Sequence, residues 1–404
     1  MTALDIVPRL RLTATRVAYG AHMVHDGFTD CIYVLLPLFQ AEFGLTYTQT
    51  GLMKALFSGA LAGFQTPSAR LAGAIGPRAV LAGGTALAAC GFLLAGASAG
   101  FAMLMLAILV MGLGTSVQHP IASDLVASEH EHGGGREALS RYNVAGDVGK
   151  VIFPSLVALM LGVMAWRSAA TVVGVFGLVA AGAIALALAP GRIAARSQAD
   201  AAPDAASGRW RSPAGFAALL GIGMIDSATR TGFLTFLPFL LTAKGAGAST
   251  IGLALSLVFA GGAFGKLACG LLAARIGPSP TVLLTETLTA ALIVALPVLD
   301  VVPVLVVLPL LGVALNGTSS ALYGTVPELA GPAMRRQAFA IFYTGTIGVG
   351  AVAPVFYGLF SDRLGLTTSM MLVGAAVLAT LPLAVVLSRL LKRSTLPDAP
   401  RQQP

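Results

Sequence analysis

Apolar stretches recur along the whole chain, each long enough to form a membrane-spanning helix, and short polar connections separate them. A helix needs about 20 apolar residues to cross the hydrocarbon core of a bilayer, and it satisfies its own backbone polar groups there. The pattern therefore predicts an all-α membrane protein with twelve transmembrane helices. The predicted spans are 14–41, 48–69, 77–97, 100–125, 136–163, 168–189, 213–242, 249–274, 279–298, 302–328, 336–361 and 367–391.

One long polar connection divides this series into two sets of six helices. It covers 191–212, is rich in Ala, Ser, Asp and Arg, and has no hydrophobic periodicity. Such a composition is typical of a flexible linker. The predicted organisation is an N-terminal six-helix bundle at 1–190, a cytoplasmic linker at 191–212, a C-terminal six-helix bundle at 213–392 and a cytoplasmic tail at 393–404.

The two halves share turn and helix-packing residues at a nearly constant spacing. A displacement of 201 residues pairs Pro37 with Pro238, Gly44 with Gly245, Gly51 with Gly252, and Ile75-Gly76-Pro77 with Ile276-Gly277-Pro278, and one of 200 pairs Gly112 with Gly312 and Pro154 with Pro354. Two parallel six-helix repeats joined by a long loop resemble the architecture of major facilitator transporters. That architecture predicts a substrate site near the middle of the membrane, with access alternating as the two bundles rock.

Composition and charge support the membrane interpretation. The chain is 56% hydrophobic and 10% charged, whereas soluble domains carry about 25% charged residues. The net charge of +8 comes from Arg and Lys in connections on one side, and the other side holds only Arg167, Lys244 and Arg363. Positive residues favour the cytoplasmic side, so we expect both termini in the cytoplasm of a bacterial inner-membrane protein. We also expect the protein to be a monomer. The charge is thus a sign of topology, not of nucleic-acid binding.

The sequence contains no catalytic motif. A phosphate-binding Gly-Lys-Ser/Thr loop is absent from it, so transport is not powered by a built-in ATPase. The protein is therefore expected to be a non-enzyme that needs no cofactor, and its ligands are expected to be protons and a small molecule.

Ionisable residues interrupt three of the predicted spans. In the first span His22, Asp26 and Asp30 recur every fourth residue and so share one helix face. Charges at membrane depth are costly and normally face a bundle interior or a wet cavity. Counting about 1.5 Å per residue from the cytoplasmic ends places six charges at one depth, where we expect them to meet in a hydrated chamber. They are Asp26, Asp30, Asp147, Lys150, Asp226 and Arg230.

Three interpretations of these charges stay open. Acids and bases can neutralise one another as structural pairs. They can instead recognise a charged substrate, with Lys150 and Arg230 facing its anionic groups and Asp30 or Asp147 its cationic groups. In the third interpretation, a desolvated carboxylate carries the proton that drives transport.

Asp26 is the preferred proton carrier, with His22 and Asp30 one turn away on either side. Histidine changes charge near neutral pH, so His22 can assist the transfer. Alternatively, His22 and Asp26 form a hydrogen-bonded pair that closes the cytoplasmic end of the helix. A metal site is a further alternative, with His22, His25, Asp26 and Asp30 as its candidate ligands. Against it, the side chain of His25 does not lie on the helix face that the other three share.

Other polar residues complete the candidate site. His119 precedes Pro120 and either supports a helix kink or lines the pathway. Lys266 and Glu286 are candidates for a gating pair, and Lys54 is expected to snorkel to the outer interface. The predicted substrate-binding residues are Asp30, Asn143, Asp147, Lys150, Asp226, Arg230, Tyr343 and His119.

Several stretches of the first half resemble one subfamily of these transporters. The stretches are His22 to Asp26, Leu36-Pro37-Leu38, Glu42 to Thr46, Gly112 to Ser116 with His119-Pro120, and Ser140, Val144, Gly146, Gly149 and Pro154. They are similar to the fosmidomycin-resistance subfamily of major facilitator drug exporters. The resemblance implies an inner-membrane exporter that exchanges protons for a small molecule, with His22, Asp26 and His119 at motif positions.

This chain also departs from that subfamily. The subfamily favours uncharged residues where this chain has Asp30, Asp147 and Lys150, which predicts a more charged cavity. The leading hypothesis is therefore proton-coupled export, by antiport, of a small charged or zwitterionic compound such as a drug or metabolite. The alternatives are a proton symporter or facilitator that imports a small organic anion, a metal or metal-chelate transporter, and a sensor that binds without transport.

Overall fold

A computed structural model describes residues 13–130, 133–188, 210–331 and 334–394. Within these ranges the chain forms fourteen α-helices and one short 3-10 helix at Leu296–Val298. The helices are α1 Ala14–Phe43, α2 Tyr47–Ile75, α3 Pro77–Gly96, α4 Phe101–Thr115, α5 Gln118–Glu129, α6 Gly135–Leu161, α7 Trp166–Ala187, α8 Pro213–Ala243, α9 Ala248–Ile276, α10 Pro278–Ala295, α11 Val301–Leu329, α12 Arg335–Leu364, α13 Leu366–Val377 and α14 Thr380–Ser394. Residues 191–209 of the predicted linker and 395–404 of the predicted tail lie outside the described residues.

The twelve predicted spans are confirmed, but two of them are broken into two helices each. The fourth span breaks at Ser116, between α4 and α5, and the twelfth breaks after Leu378, between α13 and α14. A proline lies four residues after each break, at Pro120 and Pro382. The proline ring clashes with the carbonyl four residues earlier and cannot bond to it. Each break therefore falls where a proline removes a helical hydrogen bond.

The helices have the length and surface of membrane spans. Nine described segments are long and apolar enough to cross a membrane. The other three long helices, α1, α2 and α8, have 30, 29 and 31 residues, and α1 and α8 carry the charges noted above. Large apolar side chains of the helices are exposed, for example Val179 at 66% and Leu186 at 81% on α7. Acyl chains would cover such surfaces, and the protein is a multi-pass membrane protein.

Residues paired by the internal repeat have matching conformations. Gly44 and Gly245 both have positive φ, and so do Gly76 and Gly277, which directly precede α3 and α10. A Cβ added to Gly112 on α4 would lie 2.6 Å from the Phe57 carbonyl oxygen of α2. The same atom added to Gly312 on α11 would clash with the Val258 carbonyl oxygen of α9. The repeat in the sequence thus records two bundles with the same close helix contacts.

The chain folds as two compact units. The first contains α1 to α7 together with Gly245–Ser256, and the second contains α8 and the chain from Leu257 onward. In the first unit, Val17 and Ala21 of α1 pack with Leu81 of α3 and Ile121 of α5. Each unit has a buried apolar core of this kind. The core of the second unit includes Leu219, Ile222, Val282, Leu322, Val326, Phe342 and Leu387.

Candidate functional site

The close approach of α1 and α6 creates the main polar site of the first unit. A Cβ at Gly149 of α6 would clash with the Met23 carbonyl oxygen of α1, and a Cβ at Gly27 would clash with the Phe153 ring. Glycines at these positions allow the two backbones to meet. Because the helices are so close, Lys150 of α6 reaches Asp26 of α1.

Asp26 is the centre of this site. Its Oδ2 lies 3.3 Å from the Lys150 Nζ and 3.2 Å from the His22 Nε2. Its Oδ1 lies 3.8 Å from the His119 Nε2 of α5. The Lys150 Nζ also lies 3.9 Å from the Asp147 Oδ1. The side chains of His22 and Asp26 are 4% and 11% exposed, and that of His119 is 46% exposed, so the site is accessible from the His119 side.

The hydrogen bonds of His22 fix the position of one of its protons. Its Nδ1 lies 2.8 Å from the Tyr142 backbone carbonyl oxygen, and a carbonyl only accepts, so Nδ1 must be the donor. Its ring also stacks on the Tyr142 ring at 4.0 Å. In a neutral His22, the lone pair of Nε2 would then face the carboxylate of Asp26. The contact becomes favourable only when a further proton is on Nε2 or on Asp26.

The same residues resemble a metal-ligand set. Ligand atoms of His22, Asp26 and His119 lie within 4.8 Å of one another. The Lys150 ammonium already neutralises Asp26, however, and like charges repel, so the site suits a proton better than a divalent cation. The Nε2 of His25 lies 2.8 Å from the Thr85 Oγ1 of α3 instead. His25 therefore does not join the four-residue metal set considered from the sequence.

A second polar region lies farther along α1. Asp30 is one turn beyond Asp26 and is 6% exposed. Lys54 of α2 is 3% exposed, with its Nζ 4.3 Å above the Tyr33 ring and 5.1 Å from the Phe57 ring. The expectation that Lys54 snorkels to the outer interface is wrong. The faces of the two rings stabilise its ammonium by cation–π attraction and keep it in the interior.

The second unit contains buried ionisable residues of its own. Asp226 of α8 is 4% exposed and Glu286 of α10 is 1% exposed. Arg230 is one turn from Asp226 on α8, yet the ion pairs among the described residues do not join these two. The expected gating role of Lys266 and Glu286 stays a prediction.

The remaining predicted residues are more accessible. Asn143 of α6 is exposed. Tyr343 of α12 is 44% exposed and stacks on the Tyr323 ring at 4.9 Å. Tyr142 and Tyr323 were missed by the sequence analysis, and Gly146 was named there only as a position of the family resemblance. Tyr142 contributes through its backbone carbonyl, which a sequence does not reveal. The one-turn spacing of Gly146 and Lys150 on α6, by contrast, was visible in the sequence and places Gly146 on the face of Lys150.

Twelve spans in two repeats, with ionisable groups buried inside the spans, define a membrane transporter. A family model described as the Major Facilitator Superfamily matches residues 18–227 and 219–404. The chain belongs to this superfamily.

Two curated relatives from Escherichia coli (strain K12) resemble parts of the chain. The "Fosmidomycin resistance protein" is 28% identical over 168 residues, which are 38% of this chain and 41% of that protein. The "Probable L-galactonate transporter" is 24% identical over 172 residues, which are 43% of this chain and 38% of that protein. The matches thus span well under half of either relative.

A solved structure confirms the fold over nearly the whole chain. It is the inward-facing, unoccupied crystal structure of a bacterial homologue of the human lysosomal transporter Spinster. The TM-score is 0.80, at 14% identity, and the match covers 97% of this chain and 100% of the other.

Proposed function

We propose that this transporter exports a small charged or zwitterionic compound, such as a drug or metabolite, in exchange for protons. The observation that carries this proposal is the buried contact between the His22 Nε2 and Asp26, which requires a proton to be favourable. The proposed setting is a monomer in the bacterial inner membrane, with both termini in the cytoplasm. Access would alternate between the bundles at 1–190 and 213–392.

Lys150 supplies a coupling mechanism. Its ammonium lies 3.3 Å from Asp26 and 3.9 Å from Asp147, so it can neutralise either carboxylate. A cationic group of the substrate that bound Asp26 would expel the proton held there with His22. Proton and substrate would then occupy the site in turn, which is the requirement for antiport. Asp30, on the same face of α1, is proposed to share this proton.

The proposed substrate contacts are the residues expected from the sequence. In the first unit they are Asp30, Asn143, Asp147, Lys150 and His119, and in the second they are Asp226, Arg230 and Tyr343. Lys150 and Arg230 would hold anionic groups by charge-assisted hydrogen bonds, and the carboxylates would hold cationic groups. The role of Lys266 and Glu286 in gating stays a prediction.

The second candidate is a proton symporter that imports an organic anion, and the same lysine supports it. An anion that drew Lys150 away from Asp26 would leave that carboxylate without its cation, and Asp26 would then take up a proton. Substrate and proton would enter together. The partial match to a relative named as a galactonate transporter gives this candidate its support.

The sign of a pH change separates the two candidates. Purified protein is placed in liposomes that contain a pH-sensitive dye, and fosmidomycin or L-galactonate is added outside. Antiport makes the interior more alkaline as protons leave, whereas symport makes it more acidic. Entry of a radiolabelled probe without any pH change would show a facilitator and would contradict the proposed coupling.

Gly146→Ala is expected to weaken proton coupling and leave the fold intact. The added Cβ would lie 2.6 Å from the His22 Nε2 and 2.7 Å from the Asp26 Oδ2, so one of these side chains must move. Overpacking of this kind costs about 1–3 kcal/mol, which is about 5- to 150-fold in an equilibrium constant. The dye-loaded liposomes measure the effect. Gly182→Ala, whose Cβ would meet open space, is the matched control.

A further inference from the structure

The faces of α1 and α6 that meet at Asp26 have the same residue spacing. His22 and Asp26 are four residues apart on α1, and Tyr142, Gly146 and Lys150 follow the same spacing on α6. Residues four apart lie on one helix face. The Tyr142 ring stacks on the His22 ring, and the Lys150 ammonium contacts Asp26. Gly146 lies between these two contacts and has no side chain to hold the helices apart.

A residue of α5 holds the Tyr142 ring in place. The Tyr142 hydroxyl accepts a hydrogen bond from the Gln118 Nε2 at 2.7 Å. Tyr142 is 3% exposed and Gln118 is 1% exposed, and an unpaired polar group in such an interior is costly. Gln118 directly precedes His119, whose Nε2 lies 3.8 Å from the Asp26 Oδ1. Two successive residues of α5 thus reach the same site, one through Tyr142 and one directly.

Three contacts define the orientation of the His22 ring. Its Nδ1 donates to the Tyr142 backbone carbonyl oxygen at 2.8 Å. Its face lies on the Tyr142 ring, with centroids 4.0 Å apart and planes at 26°, and the His119 ring meets it edge-on at 5.3 Å. The hydrogen bond alone would let the imidazole tilt, and the stacked ring removes that freedom. The Nε2 of His22 is thereby directed at the Asp26 Oδ2, 3.2 Å away.

His25, three residues along α1, has the opposite arrangement. Its Nε2 lies 2.8 Å from the Thr85 Oγ1, and the Thr85 hydroxyl donates its one hydrogen to the Leu81 carbonyl oxygen at 2.8 Å. The hydroxyl can therefore only accept from His25, so a neutral His25 carries its proton on Nε2. His22 and His25 thus hold their protons on different nitrogens, and each serves as a reference for the other.

We propose that Tyr142, held by Gln118, is a positioning residue that fixes the plane and the tautomer of His22 and keeps its Nε2 directed at Asp26. Only a neutral His22 with its proton on Nδ1 has a lone pair on Nε2 that can take up a second proton beside Asp26. With the proton on Nε2, the ring could only donate to Asp26, and its Nδ1 would face a carbonyl to which it cannot bond. The proposal rests on the proposed proton exchange for its functional meaning, whereas its test does not.

Nitrogen NMR of the full-length protein in lipid, with isotopically labelled histidine rings, tests this arrangement directly. Protonated and unprotonated ring nitrogens give well-separated signals, and spectra are recorded above the pH range in which histidine titrates. Each signal is assigned by its loss in His22→Gln or His25→Gln. The wild type should show His22 with its proton on Nδ1 and His25 with its proton on Nε2. A proton on the Nε2 of His22 at this pH would overturn the proposal.

Two substitutions of Tyr142 separate the ring from its hydroxyl. Tyr142→Leu removes the stacked ring, so the His22 signals should divide between both tautomers while those of His25 stay unchanged. Tyr142→Phe keeps the stacked ring and the volume of the core and loses only the bond to Gln118, so its second His22 population should be smaller. If Tyr142→Leu kept the wild-type His22 signals, Tyr142 would not position His22 and the proposal would be wrong.

Tyr19→Phe is the matched control. The Tyr19 hydroxyl of α1 donates to the Ala138 carbonyl oxygen of α6 at 2.9 Å, so this variant loses a tyrosine hydrogen bond between the same two helices. It should keep the wild-type signals of His22. A second His22 tautomer in Tyr19→Phe as large as that in Tyr142→Leu would show a general loosening of the two helices and would contradict a specific role of Tyr142.

Coupling gives a second readout. Tyr142→Leu should reduce the substrate-driven pH change in dye-loaded liposomes, and Tyr19→Phe should not. Coupling of wild-type size in Tyr142→Leu would contradict the positioning role. Asp26→Asn should keep the His22 proton on Nδ1, because the bond to the Tyr142 carbonyl and the stacked ring are both unchanged. A failure of the proposed coupling at Asp26 would therefore leave the NMR result standing.

Discussion

Asp26→Asn is expected to reduce the substrate-driven pH change in dye-loaded liposomes to the level of empty liposomes. Asparagine is nearly isosteric with aspartate but cannot carry a proton, so the His22–Asp26 contact loses its exchangeable site. Lys150 also loses the carboxylate 3.3 Å from its Nζ and keeps only Asp147, at 3.9 Å. Removal of one partner from a fully buried ion pair costs about 3–5 kcal/mol. Lys150 is 30% exposed, so the loss of stability should be smaller than that.

Binding and coupling should separate in this variant. A thermal-shift assay should still detect the probe that binds the wild type, because Asp30, Asp147 and the second unit are unchanged. Asp26→Glu restores a carboxyl group and should recover part of the pH response. Glu137→Gln makes the same chemical change at an exposed ion pair with Arg141. Such a pair contributes about 0–1 kcal/mol to stability, so this variant should behave as the wild type. Coupling of wild-type size in Asp26→Asn would remove Asp26 as the proton carrier.

Gly149→Ala is expected to destabilise the first unit more than any other single methyl group added along α6. Its Cβ would clash with the Met23 carbonyl oxygen and lie 2.8 Å from the Met23 carbonyl carbon. These are backbone atoms, which cannot rotate away, so α1 and α6 would have to separate. Overpacking costs about 1–3 kcal/mol, and a backbone clash belongs at the upper end. The melting temperature of the purified protein measures the effect.

Gly20→Ala is the matched control for that measurement. Gly20 is on α1, and its Cβ would meet open space. An alanine there should stabilise the helix by up to about 1 kcal/mol. If Gly149→Ala melted at the same temperature as Gly20→Ala, glycine contacts would not hold α1 against α6. The account of how Lys150 reaches Asp26 would then be wrong.

The number of spans was predictable from the sequence because each span must be apolar over a fixed length. The repeat at Gly76 and Gly277 was predictable as well, because turn residues with positive φ are drawn from few amino acids. A kink at Pro120 was considered from the sequence, but the break after Leu378 was not predicted, although Pro382 was visible. Prolines such as Pro37 and Pro154 remain inside unbroken helices, so a proline alone does not decide where a span breaks.

The candidate site was predictable only within single helices. His22 and Asp26 share a face because residues four apart lie one turn apart, and the structure places them 3.2 Å from one another. The same argument placed Arg230 beside Asp226, but the ion pairs among the described residues do not join these two. Lys54 was assigned to the wrong environment because its burial depends on Tyr33, which lies on another helix.

The sequence by itself therefore determined the class of protein, the number of its spans and the face of α1 that carries the ionisable groups. These features follow from local periodicity and from the thickness of a bilayer. The tertiary structure decided which charges meet. Contacts between helices depend on how closely two backbones approach, and at Asp26 and Lys150 that distance is set by glycines opposite Met23 and Phe153.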